Sequence, residues 1–399
     1  MNSAPGSALV MCTVCNSASV DVFVEIPQVP IHCNLLWQTY EDAVAASRGD
    51  IRLAFCPECG HVFNAAFDPS LMEYTQAYEN SLHFSPRFQA YAEALAFRLV
   101  TQYGIRDTDV IDIGCGKGDF LAMLCEDGSN RGWGFDPSFV PENLESTAAD
   151  RMTIIQDFYS PAYASYQAGL ITCRHVLEHI QFPLTFLQNV REAVGNRTDT
   201  VVFFEVPNVM YTLKDLGIWD PIYEHCSYFS PPSLQRAFRA SGFTIAGLEE
   251  LFGGQFLGID TYASPHPPLE GPGEYAPAVA SVHTFVQQFS DSYRKKVDQW
   301  ANIFSELEAE GELVAVWGGG SKGVTFLNTL KPGTLAGVMV DINPRKQGMY
   351  VAGTGQQVVG PEALREYRPD AIIVMNSIYR DEIQQQISSL GLAPRILLA

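Results

Sequence analysis

Apolar residues in this chain follow two periods. Short runs such as Val110-Ile111-Asp112-Ile113, Met152-Thr153-Ile154-Ile155, Gly169-Leu170-Ile171-Thr172-Cys173 and Thr200-Val201-Val202-Phe203-Phe204 have strand length and end at turn residues. Between them, residues 90–100 and the run from Phe120 to Leu124 carry apolar positions at helical spacing. Strands alternating with helices predict a parallel, doubly wound α/β sheet. Gly258-Ile259-Asp260-Thr261-Tyr262 reads as its last strand, after turns at Ser241-Gly242 and Gly253-Gly254. The α/β pattern returns near the C-terminus, where Leu313-Val314-Ala315-Val316-Trp317 and Ala371-Ile372-Ile373-Val374-Met375 read as buried strands. Phe285, Phe289, Tyr293, Val297, Trp300, Phe304 and Leu307 recur every three or four residues and predict a long amphipathic helix for core packing or a dimer contact. Residues 264–277 hold Pro265, Pro267, Pro268, Pro272 and Pro277, a composition that suits a linker better than a helix or central strand. Four segments are therefore expected: 1–70, 71–263, a linker with the long helix at 264–310, and 311–399.

The first segment is organised by cysteine. Cys12-Thr13-Val14-Cys15 and Cys56-Pro57-Glu58-Cys59 are two C-x-x-C knuckles, and two such knuckles close a tetrahedral structural zinc site with four thiolates. The forty residues between them are too few for a core of their own, so the metal is expected to supply folding energy. His32, Cys33 and His61 read as packing residues rather than further ligands. Residues 67–88 are rich in aromatic and amide side chains and read as a surface loop with some buried rings or as a lid over a cofactor, with Tyr78 a candidate substrate contact.

The chemistry-bearing stretch is Asp112-Ile113-Gly114-Cys115-Gly116-Lys117-Gly118, a strand end running through a glycine turn into a helix. Its G-x-G-x-G spacing differs from the G-x-G-x-x-G of dinucleotide sites. Twenty residues past Gly116, Asp136 ends the next strand, where a carboxylate can accept two ribose hydroxyls. These features resemble the class I S-adenosylmethionine-dependent methyltransferases. The resemblance implies a Rossmann-like central domain in which Asp112, Gly114, Gly116 and Asp136 hold S-adenosylmethionine, Gln156 or Asp157 meets the adenine, and Arg174 and His175 lie beside it.

Further on, Tyr223-Glu224-His225 precedes an aromatic residue and a serine. With the cysteine knuckles and a late Gly318-Gly319-Gly320-Ser321-Lys322-Gly323 turn, it resembles the sugar C-methyltransferases. That family joins a zinc-binding module, a methyltransferase domain and a C-terminal Rossmann-like α/β domain, and acts on nucleotide-linked keto-deoxysugars. It usually carries Tyr two positions before Glu, whereas Tyr223 here is adjacent. Carbon becomes a nucleophile when a base removes a proton beside a carbonyl, so His225 or His179 is expected as base, with Glu224 orienting and Tyr223 donating to the enolate oxygen. The late turn satisfies G-x-G-x-x-G, with Asp341 twenty-one residues past Gly320. Gly320, Ser321 and Lys322 are expected to hold the pyrophosphate of a nucleotide-sugar, with Asn208 as a further substrate contact. A nicotinamide at that turn is the competing reading.

Composition narrows the partners. A net charge of -20 with no basic cluster argues against nucleic acid and for a small-molecule substrate. Residues 1–10 resemble neither a signal peptide nor a membrane anchor, which places the expected enzyme in the cytoplasm as a monomer or homodimer. Methyl transfer to oxygen or nitrogen of another small molecule, or a non-catalytic sensor of zinc and nucleotide, are the alternatives.

Overall fold

The computed structural model describes residues 10–35, 37–72, 79, 81–140, 146–264, 274–330 and 336–399. Three sheets organise them. The first begins with β1 (Asp21–Pro30), β2 (Arg48–Phe55) and β3 (Val62–Asn64), paired antiparallel in that order.

The central sheet is built from β4 (Asp109–Ile113), β5 (Arg131–Phe135), β6 (Met152–Ile155), β7 (Leu170–Arg174) and β8 (Val201–Pro207). The chain then leaves it for β9 (Ser227–Tyr228), which pairs with β3 and completes the first sheet. It returns as β10 (Phe243–Leu251) and β11 (Phe256–Ala263), giving the order β10-β11-β8-β7-β4-β5-β6. Strands β4 to β8 are parallel. The closing pair departs from the all-parallel expectation, because β11 runs antiparallel to both β8 and β10. Only Phe252–Gly254 and Gln255 connect β10 to β11, and so short a link permits a hairpin but no crossover.

The third sheet consists of β12 (Val314–Trp317), β13 (Ala336–Val340), β14 (Gln357–Val359), β15 (Ala371–Val374) and β16 (Arg395–Leu398), all parallel in the order β14-β13-β12-β15-β16. Each α/β sheet reverses its winding at one strand, β4 in the central sheet and β12 in the third. The carboxyl end of such a switch strand opens a crevice for ligands.

The helix Ala276–Ala309 spans 34 residues. Pro277 lies in its first turn, where the missing N–H costs no hydrogen bond, so the helix begins inside the stretch expected as linker; Pro265, Pro267, Pro268 and Pro272 fall outside the described residues. Its Phe289 meets Phe23 of β1 edge-on at 6.3 Å, and Trp300 and Phe304 pack on Phe326 of the helix Ser321–Leu330 that follows β12. One apolar cluster runs from Val24, Ile26 and Phe55 through this helix to Val316 and Ile373. The residues between the two cysteine knuckles thus borrow their core from the helix.

Candidate active site

Donor-binding residues converge at the end of β4. Gly114, Gly116 and Gly118 all have positive φ, so the turn folds back tightly before the helix Asp119–Gly128. At Gly114 a side chain is also excluded sterically: a Cβ would stand 2.2 Å from Cγ2 of Val176. Asp136, just past β5, accepts the Gly116 N–H at 2.9 Å through one oxygen and the Ser138 N–H and hydroxyl through the other. Asp112 is buried and accepts the Thr172 hydroxyl at 2.7 Å. Burial raises its pKa to about 6, with Asp136 adding and Thr172 and Arg174 opposing.

Arg174 ends β7 and His175 follows it, both beside Glu205 of β8. The Glu205 carboxylate takes Arg174 at 2.9 Å, His175 Nε2 at 2.8 Å and the Tyr91 hydroxyl. Burial alone would raise Glu205; these three partners outweigh it and hold the carboxyl down at about 2. His175 has φ +55, in the left-handed region that few residues other than glycine adopt. Asp157 lies on the wall of the same crevice; Gln156 does not line it, and its amide donates to the carbonyl of Pro137, which does, at 3.3 Å.

All of this opens into one cavity of about 990 Å³ whose far wall is the carboxyl edge of the third sheet. Gly318, Gly320, Ser321 and Lys322 line that wall at the N-terminus of the helix Ser321–Leu330. Gly323 packs this helix onto β12, since a Cβ there would lie 2.2 Å from the Gly318 carbonyl oxygen. Lys322 pairs with Asp220 at 2.6 Å, and Lys346 stands 3.8 Å from Asp341 and 3.3 Å from the Gly319 carbonyl. Asn208 also lines the cavity, but both ends of its amide are engaged: it caps the helix Val209–Lys214 at Met210 N and donates to the Gly254 carbonyl.

The segment 222–225 divides the residues expected to act together. It is a turn closed by His225 N–H donating to the Ile222 carbonyl at 3.2 Å, so its ends face one side and its middle the other. Ile222 and His225 face the cavity. Tyr223 and Glu224 face the N-terminal sheet, which removes them from direct contact with an acceptor. The Tyr223 hydroxyl accepts from Asp68 N–H at 2.9 Å and its ring fills the space over Gly49; the Glu224 carboxylate accepts the Cys33 N–H at 3.2 Å. The cavity-facing position two before Glu, where the family's Tyr is expected, is Ile222. His179 also faces the cavity, its ring 4.8 Å from that of His225 and edge-on at 83°. Tyr78 lies outside the described residues.

Sequence reasoning missed Glu79, Asn343, Arg345 and Glu382. The Glu79 carboxylate binds Lys117 of the donor turn, Asn343 at 3.0 Å and Arg345 at 3.6 Å, tying the two glycine turns together across the cavity. Glu382 accepts the Ser85 hydroxyl at 2.8 Å. The Asp341-Ile342-Asn343 run ending β13 was a visible signal for Asn343; nothing local marks Glu79.

At the N-terminal end, the sulfurs of Cys12 and Cys59 are 3.6 Å apart and those of Cys15 and Cys56 are 3.4 Å apart, with all four ligating atoms within 4.8 Å. Sulfurs about 2.3 Å from one tetrahedral zinc would be about 3.8 Å apart, against about 2.05 Å in a disulfide. Both knuckles close alike: Asn16 N–H donates to the Cys12 carbonyl and Gly60 N–H to the Cys56 carbonyl, each from a residue with positive φ. The four-thiol set fits a zinc ion. His61 packs on Phe63 and Phe229, burial lowers its pKa to about 3, and its Nε2 lies 3.3 Å from the Thr13 hydroxyl, so it serves packing. No helix among the described residues is long and apolar enough to cross a membrane.

Comparison with known proteins agrees with this geometry. Residues 84–247 match the family model of a methyltransferase domain, and residues 274–392 match that of the C-methyltransferase C-terminal domain. The chain is 26% identical over 306 residues to the C-methyltransferase NovU of Streptomyces niveus, covering 71% of this chain and 70% of that protein. It is 29% identical over 115 residues to a ubiquinone biosynthesis O-methyltransferase of Actinobacillus pleuropneumoniae, covering 26% of this chain and 48% of that one. Among solved structures, the riboflavin-derivative dimethyltransferase RosA of Streptomyces davawensis aligns over 44% of this chain and 54% of its own, at 18% identity and a TM-score of 0.36. A donor turn at one switch strand, a second α/β sheet facing it and the tandem of domain matches make this chain an S-adenosylmethionine-dependent methyltransferase that carries a C-methyltransferase C-terminal domain.

Proposed function

We propose that the enzyme methylates a carbon atom beside the carbonyl of a nucleotide-linked keto-deoxysugar. The observation that carries this reading is the imidazole pair, His179 and His225, lining the one cavity that also holds the donor turn and the glycine turn of the third sheet. S-adenosylmethionine supplies an electrophilic methyl group. Asp136 and the turn 114–118 would hold its ribose and amino-acid ends, with Asp157, Arg174 and His175 around it. His225 is the preferred base: burial and the neighbouring imidazoles push it well below its ordinary range, so it rests neutral and able to accept a proton. The nucleotide-sugar would anchor at Gly320, Ser321 and Lys322, its phosphates displacing Asp220 from Lys322, with Lys346 and Arg345 close by. Ile222 presents an apolar surface beside His225 where the family's tyrosine would stand.

Cys12, Cys15, Cys56 and Cys59 would hold a structural zinc ion, coordinatively closed and remote from the reaction. On this reading 1–70 is the zinc module, 71–263 the catalytic domain, 264–310 the joining helix and 311–399 the substrate-anchoring domain. The free cysteines suit a reducing cytoplasm.

The test is turnover of a panel of keto-sugar nucleotides with isotopically labelled S-adenosylmethionine. Label is expected on carbon, in a product that keeps the methyl group after the ketone is reduced. Label on a hydroxyl or amine oxygen or nitrogen, or none on any member of the panel, would overturn the assignment.

A further inference from the structure

Glu178 stands beside both imidazoles and has no part in the mechanism above. It is the middle residue of the short turn Leu177–His179 after β7, is 2% exposed, and its Oε2 is buried without a hydrogen-bond partner among the described residues. The ligating atoms of Glu178, His179 and His225 all lie within 4.8 Å of one another. Cys226, next to His225, holds the two loops together through its thiol at 3.5 Å from the Glu178 carbonyl.

The tautomer of His179 follows from its partner. Its Nδ1 is 3.0 Å from the Glu224 carbonyl oxygen, and a carbonyl only accepts, so Nδ1 carries the hydrogen and Nε2 is the basic nitrogen. A buried carboxylate and two half-buried imidazoles therefore meet at the cavity wall. Their lone pairs repel unless a proton lies among them, and such a cluster titrates as a unit. C-methylation releases one proton per turnover at this place.

We propose that Glu178 is a positioning residue that acts through the imidazole pair, steadying the imidazolium formed when His225 takes the acceptor proton and drawing that proton away from the new carbon–carbon bond. The inference rests on the C-methylation reading. The acceptor C–H bond breaks, its proton goes to His225 and its electron pair becomes an enolate. The enolate carbon bonds to the methyl carbon as the methyl–sulfur bond breaks, its pair staying on sulfur. The proton then passes through His179 and Glu178 to solvent. One proton is lost and no oxidant or reductant is needed.

Other charged and titratable groups face the cluster. His175 Nδ1 lies 3.8 Å from Glu178 Oε1, Glu205 lies behind His175, the Cys173 and Cys226 thiols flank Glu178, and Tyr228 packs against His225. Burial raises Glu178, with His179 and His175 opposing. Losing its carboxylate should make His225 a weaker base.

Glu178→Gln and Glu178→Asp in the full chain, saturated with S-adenosylhomocysteine and carrying carbon-13 histidines, separate this from a structural role. In Glu178→Gln the His225 titration midpoint should fall by about one pH unit or more, with Glu178→Asp close to wild type. With a keto acceptor, kcat near neutral pH should fall about 10- to 100-fold with KM little changed, and the acid limb of the pH profile should move down with the His225 midpoint. An unmoved midpoint, or kcat and KM failing together with the limb unmoved, would overturn the inference. A divalent ion bound beyond the four-cysteine site, and lost in Glu178→Gln, would also overturn it in favour of a metal. If the wild type methylates no keto acceptor, the C-methylation reading fails by itself, and the His225 titration still decides whether Glu178 sets its basicity.

Discussion

Gly114→Ala is the most demanding test of the donor site, because two costs at that residue can be told apart. The backbone sits at φ +68, where an L side chain costs about 1–2 kcal/mol. The added methyl would also stand 2.2 Å from Val176 Cγ2, more than an ångström inside ordinary contact, and overpacking of that kind costs about 1–3 kcal/mol. The sum is about 2–5 kcal/mol. It can emerge as lost folding stability if the turn keeps its shape, or as weaker donor binding if the turn relaxes in the free protein. Denaturant unfolding and calorimetric titration with S-adenosylhomocysteine measure the two shares, and their sum is the quantity predicted. Adding Val176→Ala removes the steric share, so the double variant should recover about 1–3 kcal/mol relative to expected additivity. A Gly114→Ala protein with wild-type unfolding and wild-type affinity would refute the reasoning, and so would a double variant that recovers nothing.

The other predictions use the same logic. Asp112 has a folded pKa of about 6 against an unfolded value of 3.8, so its carboxylate opposes folding above pH 6, by about 3 kcal/mol, and this penalty fades as pH falls from 6 towards 3.8. Asp112→Asn should therefore stabilise the ligand-free enzyme at pH 8, and it should abolish the loss of donor affinity expected below pH 6, where protonation removes the negative charge facing a cationic ligand; calorimetry across pH checks both. His225→Ala should keep affinity for S-adenosylhomocysteine and lose turnover, whereas Tyr223→Phe should cost about 1 kcal/mol of stability through the Asp68 hydrogen bond and leave kcat nearly unchanged. Cys56→Ser should release zinc, measured by elemental analysis, and lower the unfolding temperature; one ion retained per chain would contradict the four-cysteine site.

What could be read from the sequence was whatever sits within a few residues of its own partner. The 114–118 turn, the carboxylate ending β5, the two cysteine knuckles and the long apolar stripe of the helix Ala276–Ala309 are local patterns, and each occupies its expected place. The orientation of 222–225 could not be read that way. Which two of its four side chains face the cavity depends on Gly49 leaving room for the Tyr223 ring, on Asp68 meeting its hydroxyl and on Cys33 meeting Glu224, contacts 155 and 191 residues away in sequence for the last two. The antiparallel closing hairpin was hidden for a milder reason: its strands have ordinary composition, and only the shortness of their connection fixes their direction.

The same turn explains how a metal far from the chemistry can matter to it. His225 hangs from two residues buried in the N-terminal sheet, and that sheet has its core completed by the long helix and its last strand supplied by β9, just after His225. Zinc lost from the knuckles would loosen β3, which carries β9, and with it the loop that sets the base. The donor turn rests on β4 and β5, which pair with no strand of that sheet and meet the knuckles through the apolar cluster in which Ile111, Ile113 and Phe135 join Cys12, Cys56 and Phe63. Cys56→Ser should therefore reduce turnover much more than donor affinity. Equal losses in both would mean that the knuckles stabilise the whole chain and have no particular hold on the base.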